Sequence, residues 1–366
     1  MNYNDRKQAI TNHKSQYQAL VKALSENKPL IAVYDDPIEK NGKVERIGKT
    51  QLLCYYIERN GGIPILVPRE SNLKEVIKNT DGYALPGGTA VDPKFYNKER
   101  HAKTWVNDEK ETERFHLEES FITDAVENDK PALAICRGMQ ATNVILGRLW
   151  QKDNPLEKLG DRGTLIQFLP EKFPNDKVHR DENAFFYRPI DTVIWQEDMD
   201  KGIKKDPPFT SSHNIKITKN SKMHQIVGND EIGCFSFHNQ GMGPKNLAPQ
   251  LTPVAYAVRE DGSVNTEIIE AAEYKKILTI QSHPETGVAD IADKLFSNLV
   301  KEAKEYHLEQ SKSREINLDL ILPYYKTASN VIKNIKLEAA KKASKSRTND
   351  DSKIIQAVIK KHLNQK

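Results

Sequence analysis

A single cysteine occupies the position in this chain most suited to chemistry. Cys136 lies in the stretch PALAICRGMQATNVILG, between an apolar run typical of a buried strand and a small-residue run typical of a helix. This strand–turn–helix order matches the shape of a nucleophile elbow. A thiol at a helix N-terminus feels the helix dipole and the free N–H groups, which lower its pKa and favour the thiolate. Most buried cysteines are inert small hydrophobes, so Cys136 alone leaves a structural interpretation open.

Two further segments carry partners for such a thiol. LPGG ends a predicted strand at Gly87 and Gly88, whose backbone N–H groups could hold an oxyanion together with that of Arg137. QSHPETG follows another predicted strand and places His283 two residues before Glu285. A base and a carboxylate this close could complete a triad in which Glu285 orients His283. The three segments together favour nucleophilic catalysis by the thiol.

The elements around these segments predict an α/β fold. Apolar runs such as PLIAVYDD, IPILVP, YALPGG and PALAIC alternate with helical patterns such as TQLLCYYIERNGG and ETERFHLEESFITDAVENDK. Strands that alternate with helices form βαβ units and a mainly parallel sheet flanked by helices. Sites in such sheets form at the carboxyl ends of the strands, where Cys136, Gly87 and Gly88 are predicted to lie. Later in the chain, REDGS between two alternating runs predicts a β-hairpin.

The 366 residues are predicted to form a central domain with additions at both ends. Residues 1–27 have apolar residues near helical spacing and predict an N-terminal helical arm. Residues 28–305 form the predicted catalytic domain. Within it, residues 152–231 are rich in Pro, Asp and Lys and predict an expanded loop region. Residues 306–366 predict a basic, helical C-terminal extension.

The basic charge of the chain is concentrated in its C-terminal extension. Although the net charge is +4, residues 323–366 carry 11 Lys and Arg against 3 Asp and Glu, so the remainder is acidic. A solvated helical appendage and a docking element for the same or another protein are both open interpretations of this tail. Nucleic-acid binding is disfavoured, because aromatic residues are nearly absent beyond Tyr324 and Tyr325.

Composition narrows the class of protein. Hydrophobic residues make up 37% and charged residues 29%, which is typical of a polar globular protein. Three scattered cysteines without a CxxC pair predict neither a disulfide framework nor a zinc site, and they fit a reducing compartment. Cys54 and Cys234 lie in apolar runs and are predicted to be structural. The polar N-terminus suggests no secretory signal and no apolar run predicts a membrane span, so we expect a cytoplasmic protein.

In their order, these segments resemble the class I glutamine amidotransferase-like superfamily, and its gamma-glutamyl hydrolase branch most. The similarity rests on KPLIAVYDD, GGIPILVP, DGYALPGG, VDPKFY, ICRGMQATNVILG, SFHNQG and SHPE, and it covers residues 28–300. The resemblance implies the flavodoxin-like fold of class I amidotransferases. It also implies cleavage of a gamma-glutamyl amide through a thioester intermediate.

The resemblance further implies roles for individual residues. Cys136 is implied to be the nucleophile, His283 the general base and acid, and Glu285 the orienting carboxylate. The backbone N–H groups of Gly88 and Arg137 are implied to form the oxyanion hole. The pocket for the glutamyl amino and carboxylate groups is implied to include Gly87, Gln140, Ser236, His238 and Gln240.

The sequence departs from the branch at three points. Ala134 stands where the branch has a glycine, two residues before the cysteine. Asn239 stands where the branch has the second histidine of HHQ. The segment after GRLWQ is expanded and begins KDNP. The leaving-group side of the site is therefore the part that the resemblance predicts least.

Three functions are compatible with these residues. The first is a cysteine-dependent hydrolase of gamma-glutamyl amides, which is favoured because CRG with DP..Y suits the hydrolase branch and the sequence contains no synthetase domain. The second is a glutaminase subunit that delivers ammonia to a partner synthetase, and the third is a non-catalytic interaction protein on the same fold. We expect a small gamma-glutamyl substrate and neither metal nor organic cofactor. Through the helical tail we expect contact with a second copy or a protein partner, and we expect no contact with a membrane.

Overall fold

The fold is a nine-stranded mixed sheet with helices on both faces, in the strand order β4-β1-β5-β6-β11-β10-β9-β7-β8. The computed structural model describes residues 3–35, 37–40, 43–46, 48–68, 71–174, 189–203, 208, 212–287, 291–310 and 314–346. Two further strands, β2 and β3, pair only with each other. The strands are β1 (Leu30–Tyr34), β2 (Pro37–Lys40), β3 (Lys43–Arg46), β4 (Ile63–Val67), β5 (Gly82–Leu85), β6 (Ala132–Ile135), β7 (His213–Ile217), β8 (Glu231–Cys234), β9 (Thr252–Val258), β10 (Val264–Tyr274) and β11 (Ile277–Ile280).

The helices surround this sheet and connect most of its parallel strands. They are α1 (Tyr3–Ser25), α2 (Gly48–Arg59), α3 (Leu73–Asn79), α4 (Glu111–Glu127), α5 (Arg137–Asp153), α6 (Leu169–Lys172), α7 (Pro189–Asp200), α8 (Lys222–Val227), α9 (Ala292–Gln310) and α10 (Leu318–Ser346). None of the described helices is both long enough and apolar enough to cross a membrane.

Five neighbouring strands, β4-β1-β5-β6-β11, form the parallel half of the sheet. Every residue of these strands is buried, because helices cover both faces, and this produces continuous apolar runs rather than alternation. In β1, Ile31 and Val33 belong to the core beneath α2 and α9, while Ala32 and Tyr34 belong to the core beneath α4 and α5. The predicted α/β fold, with its mainly parallel sheet flanked by helices, is confirmed in this half.

The other half of the sheet is antiparallel. β11 runs parallel to β6 and antiparallel to β10, so it joins the two halves. β9 and β10 form the predicted hairpin, whose turn is closed by an Arg259 N–H that donates to the Ser263 carbonyl at 2.8 Å. β7 and β8 extend the sheet to its far edge. The alternating runs seen in this part of the sequence therefore correspond to antiparallel strands.

The N-terminal and C-terminal helices pack against the central domain. The predicted N-terminal helix is confirmed as α1, and Leu20 on it is fully buried. α10 covers the edge strand β4, with Ile321 buried on the α4 side of the sheet and Val331 and Ile335 buried on the α2 side. The helical extension is therefore confirmed as far as Ser346, but the interpretation as a solvated appendage is wrong there, because an apolar face of α10 protects a sheet edge.

A helix runs across the predicted domain boundary, and the predicted loop region contains helices and a strand. α9 continues across residue 305, where the extension was predicted to begin. The region 152–231 includes α6, α7, β7 and α8, while its residues 175–188, 204–207 and 209–211 lie outside the described chain. α7 touches the site directly, since Thr192 donates a hydrogen bond to the Thr286 carbonyl at 3.1 Å. Residues 347–366 of the tail also lie outside the described chain.

Candidate active site

Cys136 lies at a sharp turn between β6 and α5. Its φ of +52° is in the left-handed region that non-glycine residues rarely adopt, which is backbone strain typical of a nucleophile elbow. Its N–H donates to the Ile280 carbonyl of β11 at 2.7 Å, which ties the elbow to the strand that leads to His283. Gly138 allows α5 to begin this close to β5, because a Cβ there would lie 2.7 Å from the Leu85 carbonyl oxygen.

His283 and Glu285 lie in and beside a short 3-10 turn that follows β11. The turn spans Pro284–Thr286, and His283 Nδ1 lies 2.8 Å from Glu285 Oε1. Both side chains are buried. A carboxylate can only accept this hydrogen bond, so the imidazole proton is held on Nδ1, and Nε2 is available on the opposite side of the ring. The arrangement can orient His283 as a base and stabilise its protonated form.

The thiol and the imidazole meet beside Gly87. A Cβ on Gly87 would lie 2.7 Å from His283 Cε1 and 3.3 Å from Cys136 Cβ, so both side chains border one point. Burial alone would raise the pKa of the Cys136 thiol, but His283 and the Lys49 ammonium hold it below its usual value. Burial and Lys49 lower the pKa of His283, but Glu285 and the neighbouring thiolate raise it, and the net pKa is raised. These charges favour a thiolate–imidazolium pair.

Lys49 reaches the same point from the start of α2. Its Nζ lies 3.2 Å from His283 Nε2, and its Cδ would lie 3.4 Å from a Cβ on Gly87. The side chain is half-buried. Among the side chains that the structure describes, which exclude those of residues 36–48, no carboxylate pairs with it. The site therefore contains a cation that is close to both members of the thiol–imidazole pair.

Two N–H groups near Cys136, one in the loop after β5 and one at the start of α5, have no acceptor among the described residues. Among the described residues, the N–H groups of Gly88 and Arg137 donate to no other protein group. The Arg114 guanidinium donates to the carbonyls of Pro86 and Gly87, at 3.2 Å each. The C=O and N–H of a trans peptide point in opposite directions, so this grip turns the Gly88 N–H away from Arg114. A Cβ at position 88 would lie 2.8 Å from Arg114 Cζ, so a larger residue there would displace the guanidinium from the two carbonyls.

The side chain of Arg137 braces the same loop from inside the protein. It is fully buried and donates to the carbonyls of Thr89 and Ala90 at 3.0 and 2.9 Å. Its charge is balanced by Glu111 and Glu118, at 2.9 and 3.0 Å. Burial would raise the pKa of Glu118, but the surrounding guanidinium groups hold it below its usual value. Buried ion pairs of this kind fix geometry, and here they fix the loop that carries the Gly88 N–H.

A cavity of about 270 Å³ opens beside Cys136 and Gly88. Of the predicted pocket residues, Gln140, His238 and Gln240 line it. The amide of Gln240 is held by the backbone of Val91, which accepts from Nε2 at 3.1 Å and donates to Oε1 at 2.9 Å. The cavity wall also includes Lys49, Lys103, Thr104, Trp105 and Gln167, which the sequence did not suggest.

Two predicted pocket residues are placed differently. Gly87 lies at the junction of the thiol and the imidazole, and its carbonyl accepts from Arg114. Ser236 is fully buried and its Oγ lies 2.8 Å from His213 Nε2, so it lies behind the described cavity wall rather than in it. Among the described residues, no group of three or more His, Cys, Asp or Glu side chains is placed to hold a metal ion.

The family of the chain follows from a comparison with known families. Residues 29–285 match the family described as Peptidase C26. The chain belongs to the peptidase C26 family. The match covers most of the sequence, from the start of the first sheet strand to the carboxylate of the His283–Glu285 pair. The resemblance to class I glutamine amidotransferase-like proteins is therefore confirmed, and the family is one of amidotransferase-like hydrolases.

Individual relatives of this C26 protein are distant. The glutamine amidotransferase-like protein RP404 of Rickettsia prowazekii is 29% identical over 76% of this chain and 98% of its own length. The gamma-glutamyl-gamma-aminobutyrate hydrolase PuuD of Escherichia coli K12 is 25% identical over 63% of this chain and 76% of its own. The solved structure of a glutamine amidotransferase from Thermotoga maritima has a TM-score of 0.40 and 15% identity, over 84% of this chain and 93% of that one.

Four charged residues around the catalytic groups were missed in the sequence, three on α4 and Lys49 on α2. Glu111, Arg114 and Glu118 of α4 are buried, and their spacing of three and four residues places them on one helix face, which is a signal that the sequence did contain. Lys49 lies at the start of α2, which follows β1 after the short β2–β3 pair, so the rule that sites form at carboxyl ends of parallel strands was the available signal for it.

Proposed function

We propose that this C26 protein is a cysteine-dependent hydrolase that cleaves gamma-glutamyl amide bonds. The observation that carries the proposal is the convergence of three distant segments around Cys136, which itself lines a cavity. They are the strained elbow at Cys136, the His283–Glu285 pair and the loop whose Gly88 N–H is free. A thiol with a lowered pKa, a positioned base and a cavity are together typical of a catalytic site rather than of a structural cysteine.

The first half of the proposed reaction forms a thioester. The Cys136 thiolate attacks the gamma-carbonyl carbon, a C–S bond forms, and the carbonyl electron pair moves onto oxygen. The N–H groups of Gly88 and Arg137 suit this oxyanion, because they have no acceptor among the described residues. The His283 imidazolium gives its Nε2 proton to the leaving nitrogen, the C–N bond breaks and the amine departs. Glu285 stabilises the imidazolium while it exists.

The second half of the reaction hydrolyses the thioester. His283 is now neutral and accepts a proton from water, whose oxygen attacks the thioester carbonyl. The second oxyanion uses the same N–H groups. Collapse of this intermediate breaks the C–S bond, releases glutamate and regenerates the thiolate of Cys136 opposite the imidazolium. No metal or organic cofactor enters these steps.

The glutamyl part of the substrate suits the polar wall of the cavity. Gln140, His238 and Gln240 offer amide and imidazole groups that can bind an amino group and a carboxylate. Gln240 is held at both ends of its amide by Val91, so little side-chain entropy is lost when it binds. Ser236 is proposed to act indirectly, through its contact with His213 behind the wall.

Two relatives support different versions of this chemistry. PuuD is named as a hydrolase of gamma-glutamyl-gamma-aminobutyrate, which supports hydrolysis of a gamma-glutamyl amide. RP404 is named as glutamine amidotransferase-like, which supports a glutaminase subunit as the second candidate. Both versions use the same thioester, and they differ in the amine that leaves and in the need for a partner protein.

The proposal is tested by product release from purified protein. A panel of gamma-glutamyl amides, with glutamine included, is incubated with the full chain, and glutamate and free amine are measured. We expect glutamate from at least one amide without any second protein, and covalent labelling of Cys136 by a glutamine-mimicking electrophile. Ammonia release from glutamine that requires a second protein would support the glutaminase subunit instead. Inactivity on the whole panel together with an unlabelled Cys136 would overturn the enzymatic proposal.

A further inference from the structure

A glutamine amide holds the loop that forms one wall of the cavity. Gln167 Oε1 accepts hydrogen bonds from the His101 N–H at 2.8 Å and from the Thr104 hydroxyl at 3.2 Å. Its Nε2 donates to the Glu99 carbonyl at 2.8 Å. One side chain thereby fixes the loop 98–105 at three points, and both ends of its amide are used within the protein.

The loop 98–105 brings three side chains to the cavity, those of Lys103, Thr104 and Trp105. Its last residue, Trp105, is 74% exposed, so burial of this large side chain does little to hold the loop in place. The Trp105 carbonyl accepts from the Ala90 N–H at 3.1 Å, which fixes only the end of the loop. The middle of the loop therefore depends on the glutamine amide for its position.

The backbone around Gln167 is bonded to a second wall of the same cavity. Ile166 and Gly241 exchange two hydrogen bonds between their N–H and C=O groups, at 2.8 and 3.1 Å. The Leu169 N–H donates to the Asn239 carbonyl at 2.7 Å, and Asn239 itself lines the cavity. Because these bonds lie on both sides of Gln167 in the chain, its side chain extends from a fixed backbone. The glutamine therefore joins the two walls.

We propose that Gln167 is a positioning residue for substrate binding, whose amide keeps the loop 98–105 at the distance from the second wall that the substrate needs. The inference rests on the proposed function, because it takes this substrate to be a gamma-glutamyl amide. Among the described residues, Gln167 makes no hydrogen bond to Cys136 or His283, and Arg137 braces the oxyanion loop separately. Loss of the amide should therefore raise KM and leave kcat nearly unchanged.

Two substitutions of similar size test the inference by steady-state kinetics on the full chain. Gln167→Met removes all three hydrogen bonds and should raise KM for the best gamma-glutamyl amide about 10-fold, with kcat within about 2-fold of wild type. Gln167→Glu can still accept from His101 and Thr104 but cannot donate to the Glu99 carbonyl. Its KM should therefore lie between those of wild type and Gln167→Met.

Gln151 provides a matched control. Its Nε2 also donates to two backbone carbonyls, those of Asn154 and Glu157, at 3.0 and 2.9 Å, but it lies near the end of α5 and outside the described cavity wall. Gln151→Met should leave KM and kcat unchanged. An unchanged KM in Gln167→Met, an equal rise in both variants, or a loss confined to kcat would overturn the inference while leaving the proposed hydrolase intact.

Two measurements without turnover separate failure of this inference from failure of the proposed function. Amide hydrogen exchange in peptides that cover residues 98–105 should be about 3- to 10-fold faster in Gln167→Met than in wild type, because the bonds that fix the loop are lost. Inactivation of Cys136 by a glutamine-mimicking electrophile should need about 10-fold more reagent for half of the limiting rate, with that limiting rate unchanged.

Each result has a distinct meaning. Equal exchange in the two proteins, or a loop that exchanges faster while substrate and electrophile bind as in wild type, would contradict the role of Gln167. An electrophile that does not label Cys136 in wild type would instead contradict the hydrolase on which the inference rests.

Discussion

Cys136 and Cys234 are two equally buried thiols with opposite electrostatic surroundings. Each is 3% exposed, and each lies beside a histidine and a glutamate. Cys234 Sγ lies 3.4 Å from His213 Nε2, and Glu270 Oε1 lies 4.0 Å from the same nitrogen. Burial and the Glu270 carboxylate raise the pKa of Cys234 far above its usual value. The pKa of Cys136 is lowered despite comparable burial.

The difference between the two thiol pKa values depends on which edge of the imidazole ring the carboxylate approaches. Glu285 bonds to His283 Nδ1, on the far side of the ring from Nε2, so the groups nearest the sulfur of Cys136 are cations. Near Cys234, the carboxylate and the sulfur approach the same edge of the imidazole, so the nearest charge is negative. Cysteine, histidine and glutamate therefore form a thiol with a lowered pKa in one place and a thiol with a raised pKa in the other.

The largest expected effect comes from removing each thiol in turn. Cys136→Ala should reduce kcat for the best gamma-glutamyl amide by about 10⁴-fold or more, because loss of a nucleophile removes the covalent route. Cys234→Ala should retain most of the activity, since its sulfur is protonated and lies outside the described cavity wall. Steady-state kinetics on both variants checks this. Comparable losses in the two would contradict the distinction between the thiols.

Replacement of Glu285 should likewise reduce kcat more than replacement of Glu270. This difference should be smaller than the one between the two cysteines. Glu285→Gln preserves shape but removes the charge that stabilises the imidazolium, and kcat should fall about 10²- to 10⁴-fold. Glu270→Gln should cost less, because Glu270 lies beside His213 and His238 and not beside the catalytic imidazole of His283. The measurement is kcat for each variant, with the melting temperature as a control for folding. A larger loss in Glu270→Gln would show that the wrong carboxylate has been assigned to catalysis.

A smaller loss is expected when the oxyanion loop is loosened. Arg114→Met removes the grip on the Gly87 carbonyl that orients the Gly88 N–H. Because loss of an oxyanion donor itself costs about 10²- to 10³-fold, loss of its positioning residue should cost about 10- to 100-fold in kcat. KM should change little, and Arg114→Lys should restore part of the rate. A change in KM alone would indicate a structural or binding role for Arg114.

The smallest expected effect is a shift in the pH dependence of kcat/KM. Acylation needs the thiolate and the imidazolium together, so kcat/KM should rise as pH passes the lowered pKa of Cys136 and fall as it passes the raised pKa of His283. The acid limb should lie below the usual thiol value of about 8.5, and the basic limb above the usual imidazole value of about 6.5. Lys49→Met should move the acid limb upward, because the ammonium lowers the pKa of Cys136.

Local patterns in the sequence predicted the strands, the turn at Cys136 and the hairpin. An apolar run typical of a strand, a small-residue run typical of a helix and the cysteine between them predicted the elbow at Cys136. Such patterns depend on neighbouring residues alone. The rule of carboxyl ends placed Gly87 and Gly88 at the same edge of the sheet as the thiol. The REDGS hairpin was predictable for the same local reason, because a short turn determines the pairing of its own strands.

Features that depend on the approach of distant elements were not predictable in the same way. Lys49 and Arg114 act on the site because α2 and α4 bring them to the loop after β5, and their local sequence reads as ordinary helix. The tail was misjudged because its lysines dominate its composition. The apolar residues Ala328, Val331 and Ile335 nevertheless recur at helical spacing, and they bury one face of α10 against the sheet.

The central claim is that the sulfur of Cys136 becomes acylated during turnover. The most direct test is mass spectrometry of protein quenched with acid while it hydrolyses its best gamma-glutamyl amide, followed by peptide mapping. We expect a glutamyl adduct on the peptide that contains Cys136, lost on treatment with hydroxylamine and absent when Cys136 is replaced by alanine. An adduct on another residue, or hydrolysis that continues in Cys136→Ala, would contradict the account.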